Sequence, residues 1–338
     1  MQDLFLATNN STIVDSRKIA IIGAGDAGRR HANALSQIEN AAIAWVADAN
    51  KQRLEQFVSE ILPSANINPT KSLPYYLAEV ANICTPPAMH QRQAEEALSA
   101  GLHILVEKPV CVSEAELEWF LGALNKYPSN IGVISQHRMA PASVAARKRI
   151  QGGNLGKMSS IDIRIRRRRS KSYFQTGWKG KPEVAGGGVL ISLAVHILDV
   201  LTYCGFRPTI VSADIGQFSD GEVENQVLAK IRCDEAVELT LDAKVGDFDT
   251  EPDSLIFHGM ASKMTWSGDS FKGPDITIPR AINLHKLQIE SFLNEISTDS
   301  PCSISVASIA PTMLLIFALY ESAASGGKWV PVRQLKEL

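Results

Sequence analysis

Lys108 and His196 are the two side chains in this sequence best suited to moving a proton while a hydride moves elsewhere. Lys108 closes the run Ile104-Leu105-Val106-Glu107-Lys108-Pro109, where a short apolar strand ends in a charged pair stopped by proline. A free lysine, with a pKa of about 10.4, is a poor base at neutral pH. Burial beside a positive ring lowers it toward a useful range. His196 lies in a helical stretch that opens at Gly186-Gly187-Gly188 and runs to Cys204, apolar on most sides through Leu190, Leu193, Ile197, Val200 and Leu201. Ser192, His196 and Asp199 fall at i, i+4 and i+7 and line one narrow polar stripe. A buried polar stripe needs partners, and a ligand can supply them. This pairing suits removal of a hydroxyl proton as a carbon-bound hydride leaves. His196 would be the acid/base and Lys108 the polarising donor, or the roles are reversed. Plainer readings stand beside it: a solvated lysine at a strand end, and a core histidine bonded to Asp199, which would fix its tautomer.

A scaffold must hold these groups, and the first half of the chain has the pattern of one. Lys18–Ile22 is an apolar run that enters Gly23-Ala24-Gly25-Asp26-Ala27-Gly28, followed by a helical pattern through Ala32, Leu35 and Ile38. This is GxGxxG between a strand and a helix, where backbone N–H groups can approach a pyrophosphate. Ala42–Ala47 is the second strand, and Asp48 ends it, 48 − 28 = 20 residues after the last glycine. A carboxylate there binds ribose hydroxyls and repels a 2′-phosphate, which favours NAD. Lys51 and Arg53 stand near enough to keep NADP possible, and Asp48 can also cap the helix carrying Leu54, Phe57, Val58 and Ile61. Further strands end at Thr85-Pro86-Pro87 and at Lys108, with helices after each, the second opened by a Ser113/Glu116 capping box. The alternation predicts an α/β N-terminal Rossmann domain, a doubly wound parallel sheet. Gly23, Asp48, Thr85 and Lys108 all fall at carboxyl ends of strands, where such sheets bind ligands.

Beyond Ile131–Ser135 the texture changes. A helix stopping at Gly152-Gly153 leads into alternating runs, clearest in Val237–Val245, with shorter ones at Asn225–Cys233, Ser254–His258 and Lys263–Trp266. These predict a C-terminal α+β domain with a large, open, mostly antiparallel sheet. The expected layout is a flexible N-terminal arm over 1–16, a NAD(P)-binding Rossmann domain over 17–128, and a substrate-binding and oligomerisation domain over 129–338. Arg164 and Arg166–Arg169 form a basic run on a strand. It is either a solvated or subunit-facing sheet surface, or an electropositive wall for a phosphorylated or nucleotide-linked substrate. Net charge of −2 gives no reason to expect nucleic acid or an anionic membrane surface. The five dispersed cysteines lack CxxC spacing, which argues for reduced cytoplasmic thiols and against a metal site. No basic-then-apolar leader precedes Asp15, and the apolar run Met313–Leu319 is far short of the ~20 residues that span a bilayer.

Together these residues resemble the glucose-fructose oxidoreductase / inositol dehydrogenase / rhizopine-catabolism family of nicotinamide-dependent oxidoreductases. The resemblance is carried by Gly23-x-Gly25-x-x-Gly28-x-x-His31, Thr85-Pro86-Pro87-x-x-His90, Glu107-Lys108-Pro109, Gly132–Arg138, and Gly186-Gly187-Gly188-Val189-Leu190 followed by His196 and Asp199. It is similar above all to members acting on sugars and nucleotide-sugars. The resemblance implies a cofactor lined by Gly23, Gly25, Asp26, Ala27, Gly28, Asp48, Thr85, Pro86, His90, Glu107 and Lys108. It also implies a bent, often cis, Lys108-Pro109 peptide. Lys108 and His196 would face the substrate hydroxyl, and Arg138, Trp178, Lys179, Ser192, Asp199 and His285 would border the substrate. Many members have aspartate four residues before the histidine and others asparagine; Ser192 cannot act as a carboxylate base. The implied substrate is a sugar, nucleotide-sugar or cyclitol, and the implied assembly a homodimer or homotetramer through the open sheet. A non-catalytic nucleotide-sensing regulator and a reductase of a C=N or tetrapyrrole double bond are the alternatives on the same fold.

Overall fold

The structure is a computed structural model that describes residues 4–8, 16–70, 72–175, 177–217, 223–268, 270–279 and 283–335. The chain divides into two compact units: Met1–Cys111, Glu118–Ile134 and His285–Ser308 form the first, and Val112–Leu117, Ser135–Leu284 and Ile309–Leu338 the second.

The first unit is built on a seven-stranded sheet of β1 (Leu4–Thr8), β2 (Arg17–Ile22), β3 (Ala41–Asp48), β4 (Asn66–Thr70), β5 (Val80–Ile83), β6 (His103–Val106) and β7 (Ile131–Val133). Its spatial order is β4-β1-β3-β2-β5-β6-β7. β2, β3, β5, β6 and β7 run parallel. Ile19, Ala20 and Ile21 of β2, Val80, Ala81 and Ile83 of β5, and Ile104, Leu105 and Val106 of β6 are all buried. Strands covered on both faces are apolar without alternation, which is why the sequence shows continuous runs there. Helices α1 (Asp26–Leu35), α2 (Lys51–Ile61), α3 (His90–Ser99) and α4 (Glu114–Lys126) fall between the strands. The strand order diverges on either side of β2, so the turn after β2 opens at the topological switch point.

Two expectations change here. Leu4–Thr8, assigned to a flexible arm, pairs antiparallel with β3 and β4, Phe5 opposite Asp48 and Leu6 opposite Asn68. The ladder groups on the outer side of β3 need partners, and this apolar segment supplies them. The rest of that arm, 1–3 and 9–15, lies outside the described residues. Ile131–Val133, expected to open the second domain, pairs with β6 and completes the first sheet. The first unit also recovers 285–308: Ile289, Phe292 and Leu293 share a core with Ile21, Leu105 and Ile134. Local apolar pattern cannot say which of two sheets a strand joins.

The second unit holds a nine-stranded sheet of β8 (Met158–Arg168), β9 (Pro208–Gln217), β10 (Glu224–Cys233), β11 (Glu238–Gly246), β12 (Ser254–Gly259), β13 (Lys263–Ser267), β14 (Ser270–Lys272), β15 (Thr277–Ile278) and β16 (Val330–Pro331). Its order is β15-β14-β13-β12-β8-β11-β10-β9-β16, and the β8–β11 pair alone is parallel. Leu239, Leu241, Ala243 and Val245 are buried while Glu238 and Thr240 are exposed, so the predicted period of two is realised. The remaining helices are α5 (Pro141–Gln151), α6 (Lys171–Gln175), α7 (Pro182–Ala185), α8 (Val195–Tyr203), α9 (Leu284–Ser297) and α10 (Val306–Ala324). Within the second unit α5 contacts β13 and β14, and α8 contacts β12. Pro182–Tyr203 and Val306–Ala324 are long and apolar enough to cross a membrane, so the second reaches well beyond the seven-residue run read from the sequence. Most of each is buried in the protein, as expected of core helices.

Gly186-Gly187-Gly188 precedes α8 because two neighbours crowd that backbone. Gly186 (φ +80°) and Gly187 (φ +143°) adopt left-handed conformations. A Cβ on Gly187 would overlap the Tyr320 hydroxyl, and one on Gly188 would overlap the carbonyl oxygen of Glu224. Gly122, in α4, has nothing within 4 Å of its Cβ position. Gly188→Ala is therefore expected to destabilise the protein by about 3 kcal/mol or more, whereas Gly122→Ala stabilises it by about 1 kcal/mol. Urea unfolding of the two variants checks this, and equal midpoints would refute the crowding argument.

Candidate active site

In the first unit, β2 delivers the chain into a turn whose three glycines answer three different demands. Gly23 has φ +108°, and a Cβ there would lie 2.7 Å from the Cys84 carbonyl oxygen at the end of β5. A Cβ on Gly28 would overlap the Gly23 carbonyl, so glycine there lets α1 close on the strand. Gly25, which caps α1, has nothing within 4 Å of its Cβ position. That open space, with the N–H groups of the first turn at Asp26 and Ala27, is what a dinucleotide phosphate requires. The residues present fit such a cofactor.

Asp48 is only 7% exposed and fixes the turn. Its Oδ2 accepts the Ala24 N–H at 2.9 Å and its Oδ1 the Asn50 N–H at 2.7 Å. Asn50, not Asp48, caps α2, accepting the Arg53 N–H at 3.0 Å. The helix-cap reading of Asp48 therefore fails, and its carboxylate remains at the strand end with Arg53 Nη1 3.3 Å from both oxygens. Lys51 pairs along α2 with Glu55.

At the next strand ends, the Thr85 hydroxyl donates to Gln93 Oε1 at 2.5 Å. His90, expected at the cofactor, is wholly buried. Its Nε2 lies 2.9 Å from the Thr85 carbonyl and its Nδ1 3.1 Å from that of Pro109. Both ring nitrogens face backbone carbonyls and the neutral ring donates to one of them, so His90 sits between two strand-end loops instead of touching a ligand, and burial lowers its pKa. The Lys108-Pro109 peptide is cis, as the resemblance implied. Lys108 is partly exposed; burial lowers its pKa and the Glu107 carboxylate resists.

Glu107 is 6% exposed. Oε1 lies 3.2 Å from His31 Nε2 and 3.9 Å from His285 Nε2, and Oε2 accepts the Lys108 N–H at 3.1 Å. Burial opposes its charge, but the His31 hydrogen bond and the neighbouring Lys108 and His285 outweigh it and lower the pKa to about 2. Glu107 and His285, assigned to cofactor and substrate, thus meet each other.

In the second unit the predicted continuous helix from Gly188 to Cys204 contains a wide π-turn over Leu190–Ala194 before α8. Such turns concentrate at functional sites. Ser192 lies within it, and its hydroxyl donates back to the Gly188 carbonyl at 2.5 Å. Ser192 and His196 are partly exposed, but Asp199 is 2% exposed. Arg138 grips Asp199 with Nε at 2.8 Å from Oδ2 and Nη2 at 2.6 Å from Oδ1, and Thr312 donates to Oδ1 at 3.2 Å. Arg138 and Asp199, both expected at the substrate, instead form a buried fork that fixes α8 beside the turn Gln136–Met139. The same turn brings the His137 ring edge-on to His196, centroids 4.8 Å apart.

The N-terminal end of this helical stretch is held by Glu224, 4% exposed, which accepts the N–H groups of Gly188 (2.7 Å) and Leu190 (2.9 Å) and the Tyr320 hydroxyl (2.8 Å). His31, His137, Glu224 and Tyr320 had no role assigned from sequence. His31 and His137 stood inside quoted motifs, but Glu224 and Tyr320 are too remote from Gly188 for any local pattern to signal them. Trp178 is 38% exposed, and Lys179 Nζ lies 4.2 Å from the Tyr173 ring centroid. The arginine run is largely neutralised: Arg164 pairs with Glu251, Arg166 with Asp242, Arg167 with Asp253 and Arg168 with Asp247.

Residues 17–133 match a family described as "Oxidoreductase family, NAD-binding Rossmann fold", and residues 143–264 match the "GFO/IDH/MocA C-terminal domain". Glucose-6-phosphate 3-dehydrogenase of Bacillus subtilis is 28% identical over 55% of this chain and 53% of its own length. D-glucoside 3-dehydrogenase of Escherichia coli is 26% identical over 60% of this chain and 57% of its own. The chain thus spans a little over half the length of these curated relatives. Among solved structures, the WlbA dehydrogenase from Bordetella pertussis in complex with NADH and UDP-GlcNAcA superposes with a TM-score of 0.84 at 20% identity, covering 94% of this chain and 99% of that one. Matched in both its cofactor-domain and C-terminal-domain regions, and carrying the glycine turn, the Glu-Lys-Pro triplet and the glycine-led histidine helix in that order, the chain belongs to the GFO/IDH/MocA oxidoreductase family.

Proposed function

We propose that this protein is an NAD-dependent dehydrogenase acting on a hydroxyl-bearing carbon of a sugar, nucleotide-sugar or cyclitol. The observation that carries the reading is the dinucleotide turn, with open space at Gly25 beside the buried carboxylate of Asp48. The names of the two sugar dehydrogenases and the nucleotide-sugar in the WlbA complex support the substrate class. Asp48 takes the ribose hydroxyls, the α1 N-terminus takes the pyrophosphate, and Thr85 and Pro86 border the cofactor. The Arg53 guanidinium, drawn to Asp48, favours tolerance of NADP.

Bound nicotinamide supplies the hydride acceptor. The protein's residues handle the proton. Lys108, with the Glu107 carboxylate opposing loss of its proton, donates to the substrate oxygen and stabilises negative charge developing there. His196, braced by His137, takes the hydroxyl proton. Ser192 hydrogen-bonds a substrate hydroxyl, and the exposed indole of Trp178 with Lys179 offers a face for a sugar ring. Copies of the chain would associate through the open face of the nine-stranded sheet, as a homodimer or homotetramer. The free cysteines, Cys84, Cys111, Cys204, Cys233 and Cys302, suit a reducing cytoplasm.

NADH formation with a panel of free sugars, cyclitols and nucleotide-sugars tests the reading. Turnover is expected with one class, and Lys108→Met should lower kcat by about 10²- to 10⁴-fold. Absence of turnover with every class, in protein that binds NADH, would sink it. Gly25→Ala separates cofactor binding from folding: with nothing near its Cβ, the variant should melt as wild type yet bind NADH at least about tenfold more weakly, the effect of ~1.4 kcal/mol. Unchanged affinity, read by NADH fluorescence titration, would place the cofactor elsewhere.

A further inference from the structure

A dinucleotide turn needs no histidine in the second turn of its helix, yet His31 is fully buried there and directed at Glu107. We propose that His31 and Glu107 are positioning residues for Lys108: His31 anchors one carboxylate oxygen of Glu107, and the other oxygen anchors the Lys108 backbone, with the carboxylate as a countercharge for its side chain. The proposal deepens the dehydrogenase reading, in which Lys108 polarises the substrate oxygen.

His31 Nδ1 is buried without a hydrogen-bond partner. A proton there would be an unsatisfied buried donor, whereas a proton on Nε2 is donated to Glu107 Oε1.

The groups facing this centre come from five elements. His31 and Arg30 come from α1, His285 from α9, His90 from α3, Cys84 from the end of β5, and Lys108 follows β6. Burial pushes the Cys84 thiol well up and the His90 imidazole down, so both are neutral near pH 7. Arg30 and burial both press Lys108 to lose its proton, and Glu107 opposes them. The sign follows: removing the Glu107 charge lets Lys108 deprotonate at lower pH. A neighbouring opposite charge is worth about 1 to 3 pH units.

The experiment is the pH dependence of Lys108 acylation by acetic anhydride, quantified by peptide mass spectrometry in the whole protein. Wild type, Glu107→Gln, His31→Leu and His31→Gln are compared, each checked for folding by thermal melting. Glu107→Gln, nearly isosteric, should move the half-point about 1 to 3 units toward acid. His31→Leu should move it the same way by less, and His31→Gln, which restores an N–H donor, should return it toward wild type. An unmoved half-point in Glu107→Gln overturns the proposal, as does an identical half-point in the two His31 variants. If His31→Leu does not fold, His31→Gln against wild type and Glu107→Gln decide. Because labelling needs no substrate, the two readings fail separately. A shifted half-point in a protein that turns over no sugar would refute the dehydrogenase reading alone. Sugar turnover with an unmoved half-point would refute the positioning role alone.

Discussion

A carboxylate withdrawn from water must find a donor or a cation for its oxygens, or it will not stay ionised. Among the described residues four acidic side chains are buried: Asp48, Glu107, Asp199 and Glu224. Each meets this demand with groups distant in sequence, and each does so beside a residue assigned to the chemistry. Asp48 ties the glycine turn to the start of α2. Glu107 ties α1 to the backbone of Lys108. Asp199 ties α8 to Arg138 and Thr312. Glu224 ties the start of the histidine helix to β10 and Tyr320. Removing one partner of the buried Arg138–Asp199 pair costs about 3–5 kcal/mol, so that link is rigid.

That rigidity has a division of labour. The buried members, His31, His90, Arg138 and Asp199, bond to protein. Lys108, Ser192, His137 and His196 keep part of their surface open. Buried residues bonded to protein and residues with open surface are therefore neighbours, often adjacent in sequence, as with Glu107 and Lys108 and with Arg138 and His137. The π-turn at Ser192 has a related effect. By widening one turn ahead of α8, it separates Ser192, which bonds back to Gly188, from the α-helical spacing that leads to Asp199.

The environment also sorts the charged groups. Glu107 and Glu224 are both buried carboxylates, but their acidities move in opposite directions. Glu107 has a histidine and cations beside it and is lowered to about 2, whereas for Glu224 burial outweighs its N–H bonds and raises the pKa. One suits supplying a negative field to a neighbouring lysine. The other is a helix anchor whose worth lies in the hydrogen bonds it accepts.

The sequence by itself determined what depends on neighbours along the chain. The GxGxxG turn with Asp48, the parallel order of buried apolar strands, the alternating runs of the second sheet and the stop at Glu107-Lys108-Pro109 are all local patterns set by backbone sterics and periodicity. Tertiary structure alone decided which polar groups meet. Asp199 lies three residues from His196 in sequence, yet its carboxylate bonds Arg138, 61 residues away. His285 and His31 converge on Glu107 from opposite ends of the chain. Leu4–Thr8 and Ile131–Val133 join the first sheet because its strands needed partners. A hydrogen bond is satisfied by whatever donor the fold brings within reach, and spacing along the chain carries no record of that.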